Sequence, residues 1–191
     1  MKSLKGTKTE KNLLQSFAGE SQARNRYTFF ASAAKKEGYE QICAIFTETA
    51  DNEKEHAKRF FKFLQGGEVE ITASFPAGKI GTTVENLQAA ADGEKEEWSK
   101  AYPEFAKIAK EEGFDEIADV FTAIAVAEKE HEARYRKLIE NIKYEKVFTK
   151  DGVVKWRCRN CGYVYESKEA LDLCPACNHP KSFQEVAADN Y

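Results

Sequence analysis

The sequence predicts a mainly α-helical protein: a four-helix bundle followed by a small β-rich C-terminal domain that holds a four-cysteine metal site. Three observations predict this fold. Apolar side chains recur at spacings of three and four through residues 10–146, which is typical of amphipathic helices. The tetrapeptide Glu-Lys-Glu-His occurs twice, at residues 53–56 and 128–131. Two Cys-x-x-Cys pairs follow near the C-terminus, at residues 158–161 and 174–177.

Length and composition limit the classes of function. A chain of 191 residues allows one or two domains, and we place them at 1–146 and 147–191. The formal net charge of -3 gives no reason to expect nucleic acid or an anionic membrane as a partner. The first ten residues lack the apolar core of a signal peptide, and no apolar run reaches the length of a membrane span. We therefore expect a cytoplasmic protein, in which paired cysteines bind metal rather than form disulfides.

Four helices are predicted because glycines and a proline interrupt the helical pattern at three places. The predicted helices cover residues 10–37, 40–65, 83–112 and 115–146. Gly38 and Gly113 mark short turns, whereas Gly66-Gly67 and residues 75–78 mark a long middle connection. Two short turns and one crossover are typical of a metal-binding bundle. The lone Cys43 lies in an apolar helical pattern, and we expect it in the core.

Helices 2 and 4 are copies of one another at an offset of 75 residues. In both copies the apolar stripe alternates spacings of four and three, and it directs four side chains toward the core: Glu53, His56, Glu128 and His131. Glu55 and Glu130 fall off the stripe and are expected in solvent. Unpaired carboxylates are costly to bury, and a bound metal removes that cost.

Helices 1 and 3 repeat with one extra residue in helix 3. Glu20 maps onto Glu94 at an offset of 74, whereas Tyr27 maps onto Tyr102 at an offset of 75. A residue inserted into a helix is usually absorbed as a π-bulge, and such bulges cluster at functional sites. The inserted stretch carries Glu97, one turn after Glu94, as an additional core-side carboxylate that breaks the symmetry.

The candidate ligands of a two-metal site are Glu20, Glu53, His56, Glu94, Glu97, Glu128 and His131. Mixed carboxylate and imidazole ligands suit iron or manganese rather than a closed structural zinc site. The negative charges of four glutamates balance those of two divalent cations, and the additional charge of Glu97 would favour a more oxidised metal pair. A single Glu-x-x-His would be read as a surface pattern, but two in register on an inner stripe favour metal binding. Tyr27 and Tyr102 are either core aromatics or hydrogen-bond donors to ligand carboxylates.

The C-terminal residues form a second metal motif. Residues 147–156 are interpreted as a hairpin that turns at Asp151-Gly152. The four thiolates, at spacings typical of a tetrahedral site, are Cys158, Cys161, Cys174 and Cys177. A module of this size needs a metal for stability. Spacing alone favours a zinc ribbon, whereas a redox metal in the neighbouring bundle favours iron as an electron relay.

Together these residues closely resemble the rubrerythrin family over the whole chain. The bundle resembles its ferritin-like di-iron domain, and the C-terminal part resembles its rubredoxin-like domain, with Cys-x-x-Cys-Gly-Tyr at 158–163 and Cys-Pro-x-Cys at 174–177. Asn178 follows the second motif where free-standing rubredoxins usually carry glycine, and asparagine tolerates the left-handed backbone required there.

The resemblance implies a non-haem di-iron peroxidase that reduces hydrogen peroxide to water in oxidative-stress defence. Its cofactors would be two irons in the bundle and one iron in the four-cysteine site. Electrons would come from NAD(P)H through rubredoxin or a separate reductase.

The resemblance also implies a role for each ligand. Two glutamates would bridge the irons: Glu53 and Glu128. Two would be terminal ligands: Glu20 and Glu94. His131 would hold one iron, while the other iron would use His56 when reduced and Glu97 when oxidised. The catalytic residues would then be Glu97, His56, Tyr27 and Tyr102.

Helix length predicts a homodimer. Fifteen residues of helix between His131 and Lys146 span about 22 Å, which separates a chain's cysteine module from its own di-iron site. We therefore expect the module of one chain to lie against the bundle of the other. Two alternatives remain open from the residues: a ferroxidase or iron-handling protein, and a zinc ribbon that docks a partner.

Overall fold

The computed structural model describes residues 3–190, so the outer ends of the predicted domains at Met1, Lys2 and Tyr191 lie outside the described residues. The helical segments are α1 Lys8–Lys36, α2 Glu40–Phe61, α3 Thr83–Glu96, a π-helical segment Glu97–Ala101, α4 Tyr102–Glu111 and α5 Asp115–Lys143. Because α3, the π segment and α4 follow without a break, they form one long helix. The predicted four-helix bundle is thereby confirmed.

Two helices end earlier than the sequence pattern predicts. After Phe61 the chain tightens into three-residue turns, with the N–H of Leu64 donating to Phe61 O at 3.1 Å. After α5, Glu145 adopts a φ of 57°, and the N–H of Lys146 donates to Asn141 O at 2.7 Å. Both arrangements satisfy the last helical carbonyls and stop the helix.

The two short connections have the same geometry. Gly38 has a φ of 83° and Gly113 a φ of 76°, in the left-handed region that glycine adopts without steric cost. In the first turn the N–H of Tyr39 donates to Ala34 O at 2.9 Å, and the equivalent bond in the second turn measures 2.8 Å. Each turn closes its helix in a Schellman arrangement. The sequence repeat is therefore also a repeat of structure.

The predicted insertion in the third long helix is present as a π-helical segment. It spans Glu97–Ala101, between α3 and α4. Glu94 before it and Tyr102 after it are both buried, at 0% and 2% exposure. The widened turn accommodates the extra residue, so both flanking side chains stay on the inner face.

Two apolar clusters fill the bundle on either side of an acidic layer. The first includes Tyr27, Phe30, Phe46 and Tyr135, and the second includes Phe60, Tyr102 and Phe121. Along each long helix the buried glutamate falls between residues of the two clusters. The acidic layer is thus enclosed by apolar side chains at both ends.

The long helices associate as two pairs. α1 packs along α2, while α3 and α4 pack along α5; α1 and α3 touch only sparsely. Residues 62–82 cross from one pair to the other without regular secondary structure. α3 then begins at a capping box, in which Thr82 and Glu85 each bond to the other's backbone N–H.

The C-terminal domain is a three-stranded antiparallel sheet in the order β2-β1-β3. Its strands are β1 Thr149–Cys158, β2 Val164–Glu169 and β3 Gln184–Val186. Trp156 is fully buried and its indole N–H donates to Ser167 O at 3.0 Å. The domain packs against the end of the bundle at which α2 begins, where the rings of Tyr39 and Phe148 stack with centroids 6.3 Å apart.

The predicted hairpin turn at Asp151-Gly152 is wrong. β1 continues through both residues, and the register against β2 shifts between Thr149 and Val154. The side chain of Asp151 pairs with Lys146 instead. A bulge therefore absorbs these residues, and the strand reverses only after Cys158. Within residues 3–190, no helix is both long and apolar enough to cross a membrane.

Candidate metal centres

The centre of the bundle gathers six of the seven predicted ligands into two overlapping clusters. One cluster contains Glu20, Glu53, His56 and Glu128. The other contains Glu53, Glu94, Glu128 and His131. Within each cluster, one possible ligand atom per residue lies within 4.8 Å of all the others. The predicted solvent positions Glu55 and Glu130 are exposed.

Two of these carboxylates each face both histidines. Glu53 places Oε2 3.1 Å from Nδ1 of His56 and Oε1 3.2 Å from Nδ1 of His131. Glu128 places Oε1 2.9 Å from Nδ1 of His56 and Oε2 2.8 Å from Nδ1 of His131. Ligand atoms bound at about 2.1 Å to one ion lie roughly 3 Å apart at right angles. The arrangement suits two neighbouring ions that share Glu53 and Glu128.

Two tyrosines support the outer carboxylates in a crosswise pattern. The hydroxyl of Tyr27 on α1 donates to Glu94 Oε1 at 2.6 Å, and the hydroxyl of Tyr102 on α4 donates to Glu20. Both tyrosines are buried in the aromatic clusters. The alternatives that the sequence left open are therefore combined: each ring packs in the core, and each hydroxyl orients a carboxylate.

The buried polar atoms of this layer suit cations. Among the described residues, the atoms without a hydrogen-bond partner include Glu20 Oε2, Glu53 Oε1, Glu94 Oε2, both carboxylate oxygens of Glu128 and His131 Nδ1. Burial and the nearby charge of Glu53 raise the pKa of Glu94 to about 8. Burial opposes charge on His131, but the carboxylates of Glu128 and Glu53 outweigh it and raise the pKa of His131 to about 12. Two metal ions would replace these protons and be coordinated by the unpartnered atoms.

Glu97 is the predicted ligand that lies outside both clusters. It is half-buried in the π segment, and its Oε1 is 3.9 Å from the position that a Cβ on Gly19 would occupy. Burial, followed by the charges of Glu94 and Glu128, raises the pKa of Glu97. Of the two predicted rivals for one ion, His56 is therefore in the cluster and Glu97 is withdrawn from it.

The four predicted thiolates converge in the C-terminal domain. The four sulfur atoms lie within 4.8 Å of one another: Cys158, Cys161, Cys174 and Cys177. Two of the sulfur–sulfur distances are 3.6 and 3.7 Å. A tetrahedral metal site with bonds of about 2.3 Å requires sulfurs about 3.8 Å apart, so the spacing fits a single ion.

Two matching turns hold these cysteines. The N–H of Gly162 donates to Cys158 O, and the N–H of Asn178 donates to Cys174 O, both at 2.8 Å. Gly162 has a φ of 79° and Asn178 a φ of 57°. Asparagine therefore adopts the left-handed backbone expected of it.

Three further residues lie near these sites. Cys43, predicted in the core, packs against the first aromatic cluster but is partly exposed. Arg26 and Phe75 line the space beside Glu97, and the sequence reasoning did not select either residue. Arg26 belongs to no motif, and Phe75 lies in an irregular connection that no periodic pattern describes.

The fold and the two sites define a class of protein. Inward-facing carboxylates with two Glu-x-x-His pairs, fused to a tetrathiolate module, are the features of a ferritin-like di-iron protein with a rubredoxin-like domain. Family models agree: Rubrerythrin matches residues 11–139, and the rubrerythrin, rubredoxin-like domain matches residues 156–184. The chain belongs to the rubrerythrin family. It carries that family's di-iron site, and its four cysteines are positioned to bind one iron.

Individual relatives resemble the chain over nearly its whole length. A rubrerythrin of Porphyromonas gingivalis is 63% identical, with 100% of this chain and 95% of that protein covered. A rubrerythrin of Nitratidesulfovibrio vulgaris is 59% identical, with both chains covered completely. A solved structure of nigerythrin in a mixed-valent state is 33% identical, with a TM-score of 0.63, 97% of this chain covered and 89% of that one. The family is that of oxidoreductases.

Proposed function

We propose that this protein is a peroxidase that reduces hydrogen peroxide to water at its di-iron centre. Electrons are relayed through the four-cysteine iron from an NAD(P)H-linked donor, either rubredoxin or a reductase. The protein acts in oxidative-stress defence in the cytoplasm, where thiols stay reduced and available to metal. The domains are 1–146 and 147–191, joined by the short segment between α5 and β1.

One observation carries this proposal: a tetrathiolate site lies in the same chain as a paired carboxylate–histidine site. A peroxidase must be reloaded with electrons after each turnover, and a one-iron thiolate site is suited to that task. An iron-oxidising or iron-storing protein has little use for such a relay. A zinc ribbon would leave the bundle without its electron supply.

The residues around the di-iron centre have distinct tasks in this reaction. The two irons, once bound, would supply the electrons for peroxide reduction. Glu53 and Glu128 would hold the irons, while the hydroxyls of Tyr27 and Tyr102 keep the terminal carboxylates Glu94 and Glu20 oriented. Hydrogen bonds of this kind fix ligand geometry and basicity.

Replacement of His56 by Glu97 as a metal ligand changes the charge on one side of the centre. A neutral imidazole suits a less charged metal pair and a carboxylate suits a more charged one. His56 lies in the cluster and Glu97 beside it, so this conformation has the ligand set proposed for the reduced state. The catalytic residues are thus Glu97, His56, Tyr27 and Tyr102.

A homodimer brings the two kinds of site together. In one chain, the cysteine domain packs at Tyr39, fourteen residues before Glu53 on the same helix. At about 1.5 Å per residue this is roughly 21 Å. We therefore propose that the cysteine domain of one chain serves the bundle of the other. A monomer with full turnover, measured by sedimentation and a peroxidase assay, would contradict this arrangement.

The direct test compares the oxidants of the reduced protein. Iron-loaded protein should contain three irons per chain, and stopped-flow reoxidation should be faster with hydrogen peroxide than with dioxygen. Glu97→Ala should retain iron but slow peroxide turnover, whereas Glu104→Ala, exposed on α4, should match the parent. Faster reoxidation by dioxygen would assign the protein to the ferroxidases instead, and one zinc in the cysteine site would exclude the relay.

A further inference from the structure

A cavity of about 170 Å³ lies beside the di-iron centre, between α1, the π segment and the crossover connection. Its wall includes the proposed ligand Glu97 together with Arg26, Ser16 and Phe75. Ser16 is 4% exposed, and its hydroxyl has no hydrogen-bond partner among the described residues. This hydroxyl is therefore free to bond a small polar molecule in the cavity.

Two glycines line this cavity next to the metal centre. Gly19 and Gly93 line it and directly precede the buried carboxylates Glu20 and Glu94. A Cβ on Gly19 would lie 3.5 Å from the ring of Phe75 and 3.9 Å from Glu97 Oε1. Any longer side chain there would fill the space between the crossover connection and the metal centre.

The opposite face of the centre is formed by the histidine ligands. The imidazole rings of His56 and His131 lie side by side there, with centroids 6.1 Å apart and planes inclined by 29°. They are carried by α2 and α5, whereas the cavity lies against α1, the π segment and the crossover connection. The cavity therefore meets the centre on the side of Glu97, the proposed ligand that lies outside both clusters.

We propose that this cavity is the entry and binding pocket for the hydroperoxide substrate, and that Phe75 sets the largest hydroperoxide admitted. This inference rests on the proposed peroxidase function. A protein cavity of about 150 Å³ accommodates benzene. The pocket is of similar size, so it accepts hydrogen peroxide and tert-butyl hydroperoxide, which has as many heavy atoms as benzene. Cumene hydroperoxide, with nearly twice as many, is excluded while Phe75 is present.

Ser16 and Arg26 supply the polar contacts in this pocket. The Arg26 guanidinium is held in place because Nη1 donates to Gln22 Oε1 at 3.2 Å and the group lies over the Tyr27 ring, 5.9 Å from its centroid. A hydroperoxide both donates and accepts hydrogen bonds, so it can pair with either the hydroxyl or the guanidinium.

The test widens the pocket and measures the size of substrate accepted. Phe75→Ala should raise kcat/KM for cumene hydroperoxide by at least about tenfold relative to hydrogen peroxide. Ile71→Ala is the matched control, because Ile71 lies on the same connection with 39% exposure against 37% for Phe75 but does not line the cavity. Equal selectivity in the two variants would overturn the role of Phe75.

Azide binding to the oxidised, iron-loaded protein gives a readout that does not depend on peroxide turnover. Followed by visible absorption, the association rate should rise in Phe75→Ala and fall in Phe75→Trp, and stay at the parent value in Ile71→Ala. Rates unchanged in both Phe75 variants would overturn the entry path. If the parent protein reduces no hydroperoxide but the azide rates shift as stated, the proposed function fails while the entry path stands.

Discussion

Removal of the irons should leave a protein whose stability falls as the pH rises. In the metal-free fold, burial and the charge of Glu53 raise the pKa of Glu94 from 4.5 to about 8. The folded chain then keeps a proton that the unfolded chain has released. This contribution to stability is complete below the pKa of Glu94 in the unfolded chain, and it is lost as the pH rises through the pKa of Glu94 in the folded chain.

The size of the effect follows from the pKa of Glu94. One proton retained on folding changes the free energy of unfolding by about 1.4 kcal/mol per pH unit. For Glu94 alone, the loss from about pH 6 to about pH 8 is about 2 kcal/mol. His56 and His131, with pKa values raised to about 10 and about 12, act in the same direction above their ordinary value of 6.5. A loss of about 2 kcal/mol lowers the melting temperature by about 4–8 °C in a chain of this size.

Thermal melts followed by circular dichroism measure this change in the chelated, full-length protein. The iron-loaded protein should show a much smaller dependence on pH, because metal keeps the same carboxylates ionised at both values. Glu94→Gln should reduce the loss of stability between about pH 6 and about pH 8 by about 2 kcal/mol in the metal-free protein, and Glu104→Gln on the surface of α4 should leave the loss unchanged. A melting temperature that is constant or higher at the alkaline end would refute the reasoning.

Three further outcomes are expected. Tyr102→Phe should lower the free energy of unfolding in urea by about 1–3 kcal/mol, because Glu20 loses its buried hydrogen-bond donor. Tyr144→Phe is the control, since Tyr144 is 71% exposed. Equal stability of the two variants would mean that the hydrogen bond contributes nothing. Glu128→Gln should lose iron from the bundle because both histidines face that carboxylate, whereas Glu130→Gln should keep its iron. Metal analysis of the two variants measures this difference. Iron retained in Glu128→Gln would contradict the role of Glu128 as a shared ligand. Cys158→Ser should lower iron content by about a third, through loss of the four-cysteine iron alone; loss of all iron would show that the two sites do not load independently.

The sequence was most informative where function depends on spacing along a helix. The inner stripe that carries Glu53 and His56 has a fixed period, so their common face follows from residue numbers alone. The π segment was predictable because the two halves of the chain could be compared, and their offset changes by one between Glu94 and Tyr102. The cysteine spacing predicted the tetrathiolate cluster in the same manner.

Features that depend on contacts between distant segments were not predictable. Asp151-Gly152 is a strong local turn signal, yet pairing of β1 with β2 converts it into a bulge. Whether His56 or Glu97 lies against the metal cluster depends on the packing of α1, α2 and the π segment. The position of Phe75 over Gly19 depends on the path of an irregular connection, and no periodic pattern describes such a path.

The π segment adds a residue to one half of the bundle without rotating the helix that follows it. Each residue of an α-helix advances the chain by about 100° around the axis, so an uncompensated insertion would rotate Tyr102 and all of α4 away from the core. The five-residue turn cancels this rotation, and Tyr102 remains 2% exposed. Equivalent residues of the two halves therefore face the core both before and after the insertion. A one-residue deletion within 98–101 would allow an uninterrupted α-helix in which Tyr102 still faces the core. One half of the bundle thus carries a residue that the other half lacks, and the side chains on either side of it keep their direction.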